Sequence, residues 1–258
     1  MIAITPILDP LISVILPVHN DAAFLSESLE SLRNQNYLNI EIIAIDDFSI
    51  DTSYKILKEA KKHDKRLRVY KNVKKYNLAI TLNRTLKRAK GKFVAFMDPR
   101  DTITRNKLQK QFDFLIANEK VVAVGTQCIF LSEDDKRIGK SSFPALNEHI
   151  SQKPLHGVTV LFEGIMVNRY RIPKDLLHFP TNREMFLYSD MAFKLMQYGE
   201  LANLPEYLQF HRKHNNGLGS TTKHLFSLTK LWINSRVQYD TKPSFRSFFT
   251  TALKTSFS

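Results

Sequence analysis

A chain of 258 residues, 43% hydrophobic and 24% charged, is long enough to bury one sizeable core and carries no low-complexity tract or clear internal repeat. Its formal net charge is +13, and residues 55–92 hold fifteen Lys and Arg against only Glu59 and Asp64, which matches that whole excess. The single cysteine, Cys128, rules out an intramolecular disulfide and reads as a small buried hydrophobe. No stretch reaches the roughly 18–20 apolar residues that span a bilayer, and the opening MIAITPILDP lacks the basic start of a secretion signal. The expectation is a cytoplasmic protein.

In chain order, LISVILPV (11–18) is a continuous β-branched apolar run, as a strand covered on both faces should be. DAAFLSESLESLRNQ (21–35) places Leu25, Leu29 and Leu32 at helical spacing, with Asp21 as the expected N-cap. IEIIAID (40–46) predicts a second strand, DTSYKILKEAKKH (51–63) a basic helix, and RLRVYKN (66–72) a third strand. LAITLNRTLKRA (78–89) predicts a helix and KFVAFM (92–97) a fourth strand. Strands alternating with helices of this length imply parallel pairing through right-handed crossovers. The fold class is therefore α/β, a mainly parallel sheet with helices on both faces.

Ligands of such sheets bind beyond the carboxyl ends of the strands. Here those ends read PVHND, IDDFSID and MDPRD, so polar and acidic residues collect at one edge. Acids there suit a metal ion or the hydroxyls and ring N–H groups of a nucleotide. Asp46, Asp47 and Asp51 also fit ordinary turn and helix capping. There is no P-loop, GxGxxG, Cys/His zinc pattern or GxSxG elbow. The basic stretch 55–92 fits a solvated helix face, nucleic acid, anionic lipid or a phosphorylated substrate. Nucleic acid is the weakest of these, because no recognisable nucleic-acid-binding motif is present.

Five segments, taken in order, resemble a family 2 glycosyltransferase of the GT-A type. They are SVILPVHND, SLRNQNYLNIEIIAIDDFSIDTS, NLAITLNRTLKRAKGKFVAFMDPRD, RNKLQKQFDFL and YSDMAFKLMQYGELANLPEYLQFHRKH, spanning roughly residues 11–220. The resemblance implies a nucleotide-binding half (11–101), an acceptor half (102–220) and a basic helical C-terminal extension (221–258). It also implies transfer of a sugar, with inversion, from a nucleotide-diphospho-sugar donor to a glycan or lipid-linked acceptor.

Residue by residue, the resemblance gives Asp47 a hydrogen bond from the nucleobase and puts His19 where relatives often stack a tyrosine on it. Pro17 and Val18 would supply backbone contacts near the base. The family's Asp-x-Asp-Asp motif, which binds the ribose and a divalent metal, reads Asp98-Pro99-Arg100-Asp101. Either Asp101 still holds Mg²⁺ or Mn²⁺, or Arg100 itself brings positive charge to the diphosphate. A third reading is a non-catalytic relative that binds nucleotide-sugar or glycan. The family's Glu-Asp pair reads Ser189-Asp190, making Asp190 the expected base that deprotonates the acceptor. Ala192 and Met196 stand where an acid and an arginine are common.

His214 matches the R-x-H element and is a second candidate metal ligand, with His211 and Arg212 as weaker site candidates. Phe48 and Asn77 replace glycines, asparagine tolerating left-handed backbone better than phenylalanine. In the tail, Leu225, Leu228, Leu231 and Trp232 lie at helical spacing among six Lys and Arg. That pattern fits either a packed helix or peripheral contact with the inner face of a membrane.

Overall fold

The computed structural model describes residues 9–152, 159–182 and 187–213. Four strands carry the first half: β1 (Ile12–Val18), β2 (Ile40–Asp46), β3 (Leu67–Lys71) and β4 (Phe93–Phe96). They pair in parallel in the order β3-β2-β1-β4. Helices α1 (Leu25–Arg33) and α2 (Ser53–His63) bury Leu25, Leu29, Leu32 and Leu57 against the face of β1 that carries Ile12, Val14 and Leu16. Helix α3 (Leu78–Leu86) covers the other face, with Ala79 and Leu82 against Ile15, Val94 and Phe96. β1 is nearly continuously apolar because each of its faces meets a helix layer.

The second half contains β5 (Thr102–Ile103), α4 (Lys107–Ala117), β6 (Val121–Leu131), β7 (Arg137–Lys140) and α5 (Asn147–Gln152). A 3-10 turn at Phe162–Gly164, then β8 (Met166–Asn168), α6 (Leu187–Met196) and β9 (Glu200–Arg212) follow. The sheet continues as β4-β8-β6-β9-β5. β8 runs antiparallel to both β4 and β6, β6 and β9 are parallel, and β5 and β7 pair antiparallel with β9 and β6. The expected parallel pairing holds through β1–β4 and recurs between β6 and β9, with antiparallel pairs between and beside them. β8 is three residues long, too short for any periodicity, and it joins the parallel half to the rest.

Two local expectations change. α1 begins at Leu25, because Asp21 is used in the loop before it. The Asp21 carbonyl accepts the N–H of Phe24 and Leu25 at 3.0 Å each, and its Oδ2 accepts that of His19 at 2.8 Å. Asn77 does not use left-handed backbone. It sits extended at φ −86° and caps α3, its Oδ1 accepting the Ile80 N–H at 2.9 Å. Phe48 does sit left-handed, at φ 59°, a conformation that costs a residue with a Cβ roughly 1–2 kcal/mol. Asp51 accepts the N–H of Ser53 at the head of α2 and that of Ala22 across the loop, so it caps and ties together.

Cys128 is buried, as expected. Among the described residues no helix is long and apolar enough to cross a membrane. The C-terminal extension, with Leu225, Leu228, Leu231 and Trp232, lies outside the described residues.

Candidate active site

An open cleft of about 870 Å³ lies beyond the carboxyl ends of β1, β2 and β4, within the size range of small-molecule sites. At one end stand Pro17, Val18, His19, Asp47 and Tyr76. Asp47 is buried, and its Oδ1 accepts the Asn72 side-chain amide at 2.7 Å and the Tyr76 N–H at 2.9 Å. The His19 ring is fixed by Nδ1 donating to the Asp47 carbonyl at 2.9 Å. Tyr76, which the sequence reading passed over, presents its ring to the cleft with the Arg84 guanidinium 4.0 Å from the centroid. Arg84 also donates to Asn72 Oδ1 at 2.6 Å, so one network holds both the acid and the aromatic ring. The signal available in the sequence was an aromatic in the polar loop after the third strand, KKYNL.

The acidic motif turns at the end of β4. Met97, Asp98, Pro99 and Arg100 line the cleft. Asp98 Oδ1 accepts the Arg100 N–H at 2.8 Å, and the Asp98 carbonyl accepts that of Asp101 at 3.1 Å. Arg100 lies with its guanidinium carbon 4.8 Å from the Phe24 ring centroid and an N–H 3.2 Å from Glu133. The Arg212 guanidinium carbon lies 4.1 Å from the same centroid.

Asp101 turns the other way. It is completely buried, and its carboxylate takes Gln209 Nε2 at 2.6 Å, His211 Nδ1 at 2.9 Å and the Arg212 N–H at 2.9 Å. All three donors come from β9. Burial alone would lower the His211 pKa, but the Asp101 carboxylate against it holds it above the ordinary value. Arg212 is itself buried and ion-paired to Asp135 at 2.6 Å.

Asp101, the expected metal ligand, thus has both oxygens engaged by β9 and is not among the residues that line the cleft. His214, the other candidate ligand, lies outside the described residues. Among the described residues no group of three or more His, Cys, Asp and Glu is placed to hold a metal ion. With Arg100 at the inner position of the motif, the described donor set does not fit a divalent cation.

The far wall of the cleft holds Glu163, Leu187 and Tyr188. Glu163 sits in the 3-10 turn, and that turn is braced from behind. The buried Lys107 Nζ donates to the Gly164 carbonyl at 2.7 Å, and Gln111 Nε2 to the same oxygen at 2.9 Å. Burial lowers the Lys107 pKa to about 7. The neighbouring Phe162 ring stacks on Tyr188, centroids 5.0 Å apart and planes 15° apart. A Cβ at Gly164 would run into the Gln209 side chain, so glycine there lets Gln209 reach Asp101. Burial, with Asp98 and Asp101 adding to it, pushes the Glu163 carboxyl up to about 7.

Nothing in a lone FEG tripeptide marks Glu163 in the sequence; only the turn's position over the cleft does. Asp190 occupies the first turn of α6, buried, with its carboxylate 3.3 Å from Lys194. It is not part of the cleft lining formed by Leu187 and Tyr188 just ahead of it.

The family model for glycosyl transferase family 2 matches residues 13–177. An uncharacterized glycosyltransferase of Haemophilus influenzae is 38% identical over 203 residues, covering 75% of this chain and 81% of its own. The UDP-Glc:alpha-D-GlcNAc-diphosphoundecaprenol beta-1,3-glucosyltransferase WfgD of Escherichia coli is 29% identical over 64% of this chain and 65% of its own. Among solved structures, S. aureus TarS in complex with UDP-GlcNAc superimposes with a TM-score of 0.72 at 16% identity, covering 95% of this chain and 71% of that one. The mannosyltransferase PcManGT of Pyrobaculum calidifontis, in complex with GDP-Man and Mn²⁺, gives 0.66 at 18% identity, covering 98% and 70%. At these identities the two structures establish the shared GT-A fold.

The raised Glu163 pKa has a stability consequence of definite sign. An acid whose pKa is about 7 folded and about 4.3 unfolded holds its proton better in the folded state, so stability falls as pH rises through that window. Glu163→Gln removes the titration. Thermal unfolding from pH 4 to 8 is expected to show the variant gaining on the wild type through the window and holding a constant lead above pH 7. Parallel curves across that range would mean that Glu163 is not desolvated.

Proposed function

The chain belongs to glycosyl transferase family 2, and on that footing we propose that it moves a sugar from a nucleoside-diphosphate donor to a hydroxyl of a glycan or lipid-linked acceptor, with inversion. The observation that carries the donor reading is the set of groups that share one cleft: the buried Asp47 with the His19 and Tyr76 rings, the Asp98–Arg100 turn, and the Glu163 carboxyl. UDP-GlcNAc in TarS and GDP-Man in PcManGT support this donor class. WfgD, named for a diphosphoundecaprenol-linked acceptor, supports the acceptor class.

In this reading a ring N–H of the base donates to Asp47, whose Oδ1 is already engaged, so Oδ2 takes it. His19 and Tyr76 give the base two aromatic neighbours, Tyr76 being stiffened by Arg84 behind it. Asp98 meets the ribose or sugar hydroxyls. Arg100 supplies fixed positive charge to the diphosphate, where a guanidinium forks onto phosphate oxygens. Negative charge builds on the leaving diphosphate as the bond from the anomeric carbon to its oxygen breaks, and a pre-placed cation stabilises it. The acceptor oxygen attacks the opposite face of that carbon while its proton passes to a carboxylate, and the nucleoside diphosphate leaves.

We assign that proton to Asp190, which keeps the acidic position of the family pair at the head of α6. Glu163 is the second reading, carried by its place in the cleft wall and a pKa near 7 that suits a base at neutral pH.

Calorimetric titration with UDP, GDP and dTDP, followed by transfer assays with the matching sugars, tests the donor reading. Asp47→Ala is expected to weaken nucleotide binding by about 1–3 kcal/mol, the cost of a lost hydrogen bond to a buried charged group. Unchanged affinity in a folded variant removes Asp47 from the base site. For the base, Asp190→Asn and Glu163→Gln are to be compared at constant donor affinity. The true base loses about 10²–10⁴-fold in transfer rate, and the other variant stays close to the wild type.

Arg100→Asp separates the two electrostatic readings. If the arginine serves the diphosphate, the variant loses about 10²-fold in EDTA, as when one stabilising donor is removed. A gain of activity in Mn²⁺ would instead return the metal reading. Inactivity of the wild type across a broad donor and acceptor panel would identify a binding protein of this fold.

A further inference from the structure

The loops that follow β2 and β3 leave the sheet side by side, since Asp46 pairs with Lys71 in the ladder and Asn72 donates to Asp47. Just past that point the chain exposes apolar side chains on both loops. Ile50 is 87% exposed, Val73 83% and Phe48 44%. Phe48 is the informative one. Its φ of 59° is a position that favours glycine, so an aromatic there carries backbone strain and still leaves much of its ring in water. No packing need in the fold explains that choice.

Cations surround the three. Lys71 lies 5.9 Å from the Phe48 ring centroid and 4.7 Å from that of Tyr54, and Lys58 lies 5.9 Å from the latter. Lys55 and Lys74 are exposed on the same two segments. Asp51 is the one exposed acid in residues 48–58 and 71–78, and its oxygens already bind backbone N–H groups of Ser53 and Ala22. The patch is also continuous with the cleft mouth, because Lys75, Asn77 and the part-exposed Leu78 line that mouth immediately after Val73 and Lys74.

We propose that the tips Phe48, Ile50 and Val73, with their collar of lysines, form a surface that docks the protein onto an anionic lipid bilayer and turns the cleft mouth toward it. Apolar tips ringed by lysines match the two layers they would meet: acyl-chain boundary at the tips, anionic headgroups at the collar. A polyanion such as nucleic acid would reward the lysines alone and leave three apolar side chains in water. The orientation rests on the lipid-linked acceptor proposed above, whereas docking itself does not.

The test is vesicle flotation of the full chain on phosphatidylcholine vesicles with and without about one third phosphatidylglycerol. Binding is expected on the anionic vesicles, falling in about 0.5 M salt as the lysines are screened. The combined variant Phe48→Gly, Ile50→Ser, Val73→Ser is expected to bind at least tenfold more weakly while keeping its activity on a soluble acceptor. Phe48→Gly alone should weaken binding and yet raise Tm by about 2–4 °C, since it relieves the left-handed backbone. That opposite pair of effects excludes misfolding as the cause of lost binding. Wild-type affinity in the combined variant overturns the proposal, as does preference for duplex DNA over the anionic vesicles. Loss of transfer with vesicle binding intact would fault the acceptor reading and leave the docking surface standing.

Discussion

The buried Asp101 carboxylate is the constraint on which the site depends. A charge completely removed from water is tolerable only if its oxygens are fully engaged. Here all three donors lie on β9, at Gln209, His211 and Arg212. Satisfying the acid therefore pulls the turn after β4 onto β9 and fixes where Asp98 and Arg100 stand. The same requirement reaches the far wall of the cleft. Gln209 reaches Asp101 only because residue 164 has no side chain, and the carbonyl of that glycine is held by the buried Lys107. Glu163, the residue before it, is thus aimed into the cleft by a chain of contacts that begins at an acid on the other side.

The part of the cleft around Asp47 follows a similar logic at smaller scale. Asp47 is buried but borders the cleft, and it is one oxygen that serves the fold. Its Oδ1 takes Asn72 and the Tyr76 backbone, and Asn72 is in turn held by Arg84, whose guanidinium backs the Tyr76 ring. Groups held this way are ordered before any ligand arrives, which lowers the entropic cost of binding. The fold gives up backbone comfort at Phe48 in the very next residue, and that strain is the kind of local inconsistency that marks a surface used for something other than folding.

Much of the first half was legible. The strands at 11–18, 40–46, 66–72 and 92–97 and the helices between them emerge within a few residues, because parallel strands covered on both faces announce themselves as unbroken apolar runs. Where boundaries moved, a side chain had another use: Asp21 folds the loop before α1 instead of capping it. The second half was read only in outline. β8 has three residues and β5 two, and their antiparallel pairing depends on partners far along the chain. No period in MVN or TI records that.

The sequence by itself determined the chemistry available: which strand ends carry acids, that an arginine interrupts the acidic motif, that the excess charge lies in residues 55–92, and through its ordered motifs the family. These are properties of residue type and spacing, which survive without coordinates. Only the tertiary structure decided which acid faces which way. Asp98 and Asp101 are alike in sequence, yet one lines the cleft and the other is sealed inside, because the outcome is set by donors more than a hundred positions away on β9. Tyr76 and Glu163 joined the cleft lining, beside the head of the helix that carries Asp190, for the same reason. A side chain's role depends on its desolvation and on what its neighbours leave open, and both are properties of packing.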